Sequence, residues 1–254
     1  MTAKIDPSAV VDTNVELADG VRIGPLCYVG AGVRIGEDTE LVAQATVLGP
    51  ARIGRGNRIF PYATLGAPPQ DKSYRDEATE LVIGDDNVFR EQTTVHRGTK
   101  KGTGVTRIGS RCLFMVGAHV AHDCAVGDEV VLTNQATLGG HVQVSSNVVI
   151  GGFAAVAQYV RLGRGCFLAG GAMVERDVPP FVIAAGDRAR VRALNLVGLR
   201  RMAVPDPSLR LLERAFRALY RSGEPLLLAM VAVRAELGGD PYVAELVDFL
   251  ERKR

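Results

Sequence analysis

A three-sided parallel β-helix followed by a small helical domain is the fold class this chain predicts, and three observations predict it. An apolar residue returns at every sixth position over most of the first 174 residues, and a small residue usually stands two places before it. The period then dies through Asp177-Val178-Pro179-Pro180, and apolar spacing of three and four residues takes over. A single amphipathic helix repeats every 3.6 residues and a strand every two, so a sustained period of six belongs to a stacked repeat.

The first run passes through Ile5, Val11, Leu17, Ile23, Val29 and Ile35 to Leu65, the second is Ile83, Phe89, Val95, and the third runs from Ile108 through Phe114 and Val120 to Val174. Within each hexad the small residue and the apolar residue alternate across a short strand and share its inner face. Gly, Asn or Asp then turns the corner, as in Ile23-Gly24 and Val126-Gly127. Three hexads close one coil of eighteen residues, and coils stack as parallel strands about 4.8 Å apart. The prism is expected over residues 1–186 and the helical domain over 187–254.

The period breaks near 66–80, at Gly66-Ala67-Pro68-Pro69-Gln70-Asp71, and near 98–104, at Gly98-Thr99-Lys100-Lys101-Gly102. Insertions leave a solenoid as loops from one edge and commonly carry binding function. Both precede the histidine-bearing coil. In the tail, segments near 207–221, 225–237 and 241–253 carry helical spacing between Pro205-Asp206-Pro207, Ser222-Gly223 and Gly238-Gly239-Asp240. Flat prism faces leave surface to share, so a homotrimer about a threefold axis is expected.

A net charge of +2 and 23% charged residues give no footprint for nucleic acid. No apolar stretch has the length of a membrane span, and the N-terminus lacks a signal-type apolar core, so a cytoplasmic protein is expected. Cys27, Cys112, Cys124 and Cys166 all occupy the small inward position, which makes them core thiols rather than a disulfide or metal set.

All four histidines lie between His96 and His141. The hexad register turns Ala118, Val120 and Cys124 inward, leaving His119 outward on its strand and His122 at the next corner. In steps of eighteen, His122 underlies Gly140 and then Gln158, while Asp123 underlies His141. A histidine beside an acid, with a glycine amide one coil away, supplies a general base and an oxyanion donor. The spacing of His119 and His122, with His96 as third ligand, is also compatible with zinc in principle, as in γ-class carbonic anhydrases; nothing in the sequence demands it, and neither metal nor cofactor is expected.

Four motifs resemble the UDP-N-acetylglucosamine 3-O-acyltransferase family: Val95-His96-Arg97-Gly98-Thr99, the run His119 to Cys124, Asn134-Gln135-Ala136-Thr137-Leu138-Gly139-Gly140-His141-Val142, and Asp177-Val178-Pro179-Pro180. The resemblance covers essentially the whole chain. It implies a left-handed β-helix, an exception to the usual right-handed crossover, and a homotrimer with sites between subunits. The implied reaction moves a 3-hydroxyacyl group from acyl carrier protein to the sugar 3-hydroxyl, the first step of lipid A biosynthesis. His122 then matches the general base, Asp123 its support, and the Gly140 N–H the oxyanion donor.

The resemblance also assigns sugar-nucleotide and acyl contacts to Gln70, Asp71, His119, His141 and Gln158, nucleotide contacts to Asn195 and Arg201, and the acyl-chain ruler to Gly170. Arg188, Arg190, Arg192 and Arg200, with Arg201, form a basic cluster suited to an acidic carrier protein or a pyrophosphate. Three positions depart from the family pattern: Ala157 replaces a usual His, Val197 a usual Glu and Met202 a usual Arg. They leave open a 3-amino sugar nucleotide as acceptor. The repeat is shared by the later N-acyltransferase of the pathway, which usually carries an extra N-terminal domain. A non-catalytic scaffold would share it too, but would not need polar groups aligned over Gly140.

Overall fold

A computed structural model describes residues 2–252; the expected helical domain extends two residues further, outside the described residues. Among the described residues, twenty-seven parallel strands, most only two residues long, stack into sheets of eleven, nine and eight strands, the largest ending in one antiparallel strand. They form the three faces of a left-handed parallel β-helix. We call the eleven-stranded sheet face A, the nine-stranded sheet face B and the eight-stranded sheet face C.

Paired residues are usually eighteen apart, as in Lys4 with Arg22 and His119 with Thr137. The step widens to 30 between Thr64 and Thr94, and to 25 between Thr94 and His119. The two loops therefore add twelve and seven residues without disturbing the stacking.

The six-residue period is the core. Val29, Leu41, Val47, Ile59, Leu65, Val120 and Leu138 are fully buried, and all four cysteines are free and buried beside them. Phe89 and Phe114 stack one coil apart with centroids at 4.7 Å. Ile5 continues the period but is 48% exposed, because its coil has a neighbour on one side only. Desolvation raises the core thiols, that of Cys124 to about 12, so they stay protonated and act as small apolar groups.

The inward position two before the aliphatic residue also holds Asn57 and Asn87. Buried there, they link coils: Asn57 Nδ2 donates to the Gly84 carbonyl at 2.9 Å, Asn87 Nδ2 to Asn57 Oδ1 at 2.9 Å, and the Cys112 amide to Asn87 Oδ1 at 2.8 Å. Asn87→Ala strands buried groups on both neighbouring coils. We expect it to cost about 2–4 kcal/mol, read as a lowered thermal unfolding midpoint; an unchanged midpoint would contradict the ladder's role.

Past the last coil, Val182–Ala185 pairs antiparallel with Arg190–Leu194. The stretch expected to begin a helical domain therefore opens with a strand. Arg190-Val191-Arg192-Ala193-Leu194 alternates polar and apolar, which suits the open edge of face A. Four helices follow among the described residues: α1 (Leu196–Arg201), α2 (Asp206–Arg221), α3 (Leu226–Leu237) and α4 (Pro241–Glu251). Helix α2 starts at Asp206 because Pro207 fits a first helical turn, and Asp240 caps α4 by accepting from the Tyr242 and Val243 amides. Arg164 on the prism ties to Glu245 of α4 at 3.0 Å. No helix among the described residues is long and apolar enough to cross a membrane.

Candidate active site

The corner between faces B and C follows strand His119–Val120, and the sequence there leaves a histidine and an acid side by side. His122 Nδ1 lies 2.9 Å from Asp123 Oδ2. The carboxylate accepts, so Nδ1 carries the proton and Nε2 keeps a lone pair. The His122 side chain is 12% exposed and that of Asp123 is sealed. Burial pushes the Asp123 carboxyl up, but hydrogen bonds from Thr99 and His122 outweigh it and hold the carboxyl below its ordinary value.

One coil on, Gly140 lies against the His122 ring. A Cβ added there would come within 2.7 Å of Cε1 and 2.8 Å of Nε2, a space only glycine leaves open. The Gly140 carbonyl accepts from the Tyr159 amide at 3.1 Å. Its N–H makes no hydrogen bond among the described residues, so a donor stands free beside the base.

His141 meets His122 edge-on at 5.1 Å between centroids and stacks flat on Tyr159 at 4.5 Å. Burial lowers the His141 pKa, and Asp123 only partly offsets this. Asp123, His141 and Tyr159 all have left-handed backbones, with φ of 59°, 63° and 65°. The same conformation recurs at corner residues along the prism, Gln44, Tyr62, Gln92 and Gln135 among them, so it belongs to the turn of the coil rather than to the site.

On face B below the corner, His119 Nδ1 shares a hydrogen bond of 2.7 Å with the Thr94 hydroxyl. Burial, with His96 and His122 nearby, drives the His119 pKa down to about 4, so it is neutral at physiological pH. His96 is buried, donating Nδ1–H to the Pro68 carbonyl at 2.7 Å. Arg97 donates to the Gly66 carbonyl and the Tyr74 hydroxyl, so the strand end at His96 fastens the loop that carries Gln70 and Asp71. Asp71 lies close enough to feel the His122 charge, and Ser73 hydrogen bonds hold its carboxyl low. Gln70 and Gln158 are exposed.

The remaining predicted residues lie elsewhere on the chain. Asn195 and Arg201 line a cavity of 490 Å³ on face A, whose floor is the apolar row Val131, Val149, Phe167 and Ile183. The departures Val197 and Met202 line it too. The Asn195 side chain is committed within the chain: it caps α1 by accepting from the Gly198 amide at 3.0 Å and donates to the Gly165 carbonyl at 3.0 Å. Gly170 sits at the corner between faces A and B, where an added Cβ would meet only the Gly152 carbonyl at 3.5 Å. Arg188, Arg190, Arg192, Arg200 and Arg201 are all exposed. Within one chain, face A is opposite the His122 corner, so this cavity and His122 are not brought together.

Sequence reasoning did not find Thr94, Thr99, Thr103 or Tyr159. The motif containing Thr99 was visible, but the extra loop residues break the count of eighteen that would have aligned it with Asp123. For metal, the candidates His96 and His119 are not in the group that gathers: His122, Asp123 and His141 bring ligand atoms within 4.8 Å of one another. Both Asp123 oxygens already accept hydrogen bonds, from Thr99, Thr103 and His122, which makes the carboxylate an orienting acceptor rather than an open ligand.

Residues 177–254 match the family model described as UDP N-acetylglucosamine O-acyltransferase, domain 2. The chain is 43% identical over 248 residues to the acyl-[acyl-carrier-protein]–UDP-N-acetylglucosamine O-acyltransferase of Syntrophobacter fumaroxidans, covering 97% of this chain and 96% of that one. Among solved structures, it superposes on the UDP-N-acetylglucosamine acyltransferase of Bacteroides fragilis with TM-score 0.95 at 33% identity, covering 98% and 97% of the two chains. The UDP-N-acetylglucosamine O-acyltransferase of Moraxella catarrhalis gives 0.92 at 37% identity, covering 96% and 95%.

Proposed function

The chain belongs to the UDP-N-acetylglucosamine O-acyltransferase family, and on that premise we propose that it transfers a 3-hydroxyacyl group from acyl carrier protein to the 3-hydroxyl of UDP-N-acetylglucosamine. This is the first step of lipid A biosynthesis. The observation that carries the reading is the His122 ring, with Nδ1 bound to Asp123 and Nε2 beside the free Gly140 amide. Nε2 takes the proton of the sugar hydroxyl as its oxygen attacks the thioester carbonyl. The Gly140 N–H stabilises the resulting oxyanion. Collapse expels the thiolate, which recovers the proton from the imidazolium, leaving ester and free carrier thiol. Asp123 holds the tautomer and supports the transient positive charge.

His119 and His141, kept neutral by burial, serve as hydrogen-bonding groups for the sugar nucleotide. The loop of Gln70 and Asp71 and the exposed Gln158 complete its surroundings. Asn195 and Arg201 bear on the nucleotide in a homotrimer, where face A of one subunit meets the His122 corner of another. The opposite placement of the two sites on one chain supports that assembly. The exposed arginines form no ion pair with an acidic side chain among the described residues, which suits docking of an acidic carrier protein in the cytoplasm.

The test is product formation from 3-hydroxyacyl carrier protein with UDP-N-acetylglucosamine or its 3-amino analogue, followed by mass spectrometry. An O-acylated sugar nucleotide supports the reading, and acylation of the amino analogue alone would replace the acceptor. Gly170 supplies a second expectation. Because Cβ space there is open, Gly170→Met should shorten the preferred acyl chain in a carrier-bound series; an unchanged preference refutes its role as the ruler.

A further inference from the structure

We propose that Thr99 is a positioning residue for this reaction, holding the Asp123 carboxylate in the orientation from which it aligns His122. The inference deepens the general-base reading and rests on it. Thr99 lies on the loop between strands Thr94–His96 and Val105–Ile108. It is only 4% exposed, and its hydrogen bonds run to Asp123 and within its own loop.

Its hydroxyl donates to Asp123 Oδ2 at 2.6 Å, and its amide lies 3.0 Å from Oδ2 and 3.1 Å from Oδ1. The Thr103 amide adds a donor to Oδ1 at 3.1 Å. Oδ2 is also the oxygen bound by His122, so Thr99 and the base share one acceptor. From below, the Thr106 hydroxyl accepts from the Asp123 amide at 2.8 Å. The clamp needs close approach: a Cβ on Gly102 would come within 2.4 Å of the carboxylate. The loop folds back on itself to allow it, the Gly102 and Gly104 amides donating to the Thr99 carbonyl at 3.1 and 3.0 Å.

A carboxylate with a sealed side chain needs donors on both oxygens to stay ionised. Thr99 donates to both, its amide to Oδ1 and Oδ2 and its hydroxyl to Oδ2, so the carboxylate cannot rotate away from the imidazole without breaking short bonds. The titratable groups facing Asp123 are His122, His141 and the neighbouring Cys124 thiol, which burial keeps protonated. None of them can replace the Thr99 hydroxyl.

The experiment compares Thr99→Val and Thr99→Ala, which remove the hydroxyl, with Thr99→Ser, which keeps it. All are read by steady-state transfer, by thermal unfolding and by carbon-13 titration of the Asp123 carboxyl in the intact protein. We expect the first two to lower kcat roughly tenfold or more, the scale of groups that orient a reacting residue indirectly. KM for both substrates should stay within about twofold, and the Asp123 titration should move upward. Thr99→Ser should restore the rate and the titration. The proposal is overturned by wild-type kcat in both hydroxyl-free variants, by a loss that Thr99→Ser shares, or by an unmoved carboxyl titration. Should His122→Ala transfer at the wild-type rate, the general-base reading falls separately, and the titration still decides whether Thr99 sets the carboxylate.

Discussion

Replacing His122 with alanine is expected to lower kcat for acyl transfer by roughly 10³-fold, within the span usual for a lost general base. Thermal stability should barely change. The ring lies outside the aliphatic core at a corner of the prism, and its one hydrogen-bond partner among the described residues, Asp123, keeps its donors from Thr99 and Thr103. KM for the sugar nucleotide should move little, because the lost interaction is realised in the transition state. His119 and His96 cannot take over. His119 is held at a pKa of about 4 by burial and carries its Thr94 hydrogen bond, and His96 is spent on the Pro68 carbonyl. Turnover within a factor of about three of wild type in His122→Ala would remove the mechanism.

Gly140→Ala should be nearly as damaging, for a geometric reason. The new methyl would sit within 2.8 Å of His122 Nε2, so the ring must swing out of its bond to Asp123 or the turn must open. Either movement separates the base from the amide beside it, and each component alone is worth roughly 10²–10³ in rate. Gly140 does not have a positive φ, so alanine brings no backbone strain, and a normal unfolding midpoint is expected with collapsed kcat. A fully active Gly140→Ala enzyme would show that the ring does not need its present place.

The coil register was legible because each inward residue is forced there by the same geometry. Counting eighteens set Gly140 over His122 and His141 over Asp123, and both contacts exist. The same count failed wherever the chain left the coil. Thr99 reaches Asp123 across 24 residues, a separation no repeat encodes, and the Pro68 carbonyl reaches His96 only through the path of a loop. Asn195 shows a different limit. Its resemblance to a nucleotide contact was readable, yet its work as the cap of α1 depends on backbone positions that only the folded hairpin and helix create. Arg190–Leu194 likewise became a strand because face A offered an open edge, a property of its neighbours rather than of those five residues.

The two excursions from the coil also govern where this protein can change its length. One residue added inside a coil would carry each later side chain one place round the triangle, exchanging core for solvent at Val120, Leu138 and beyond. At the loops the chain departs and returns in step, Thr64 stacking on Thr94 and Thr94 on His119. Insertions and deletions are therefore tolerable there and nearly nowhere else in the prism. Even so the shorter loop is only partly free, since Thr99 to Thr103 lie on Asp123. The longer one, between its anchors at Pro68 and Tyr74 and the strand that begins at Glu80, is where this scaffold can be lengthened while its catalytic corner stays still.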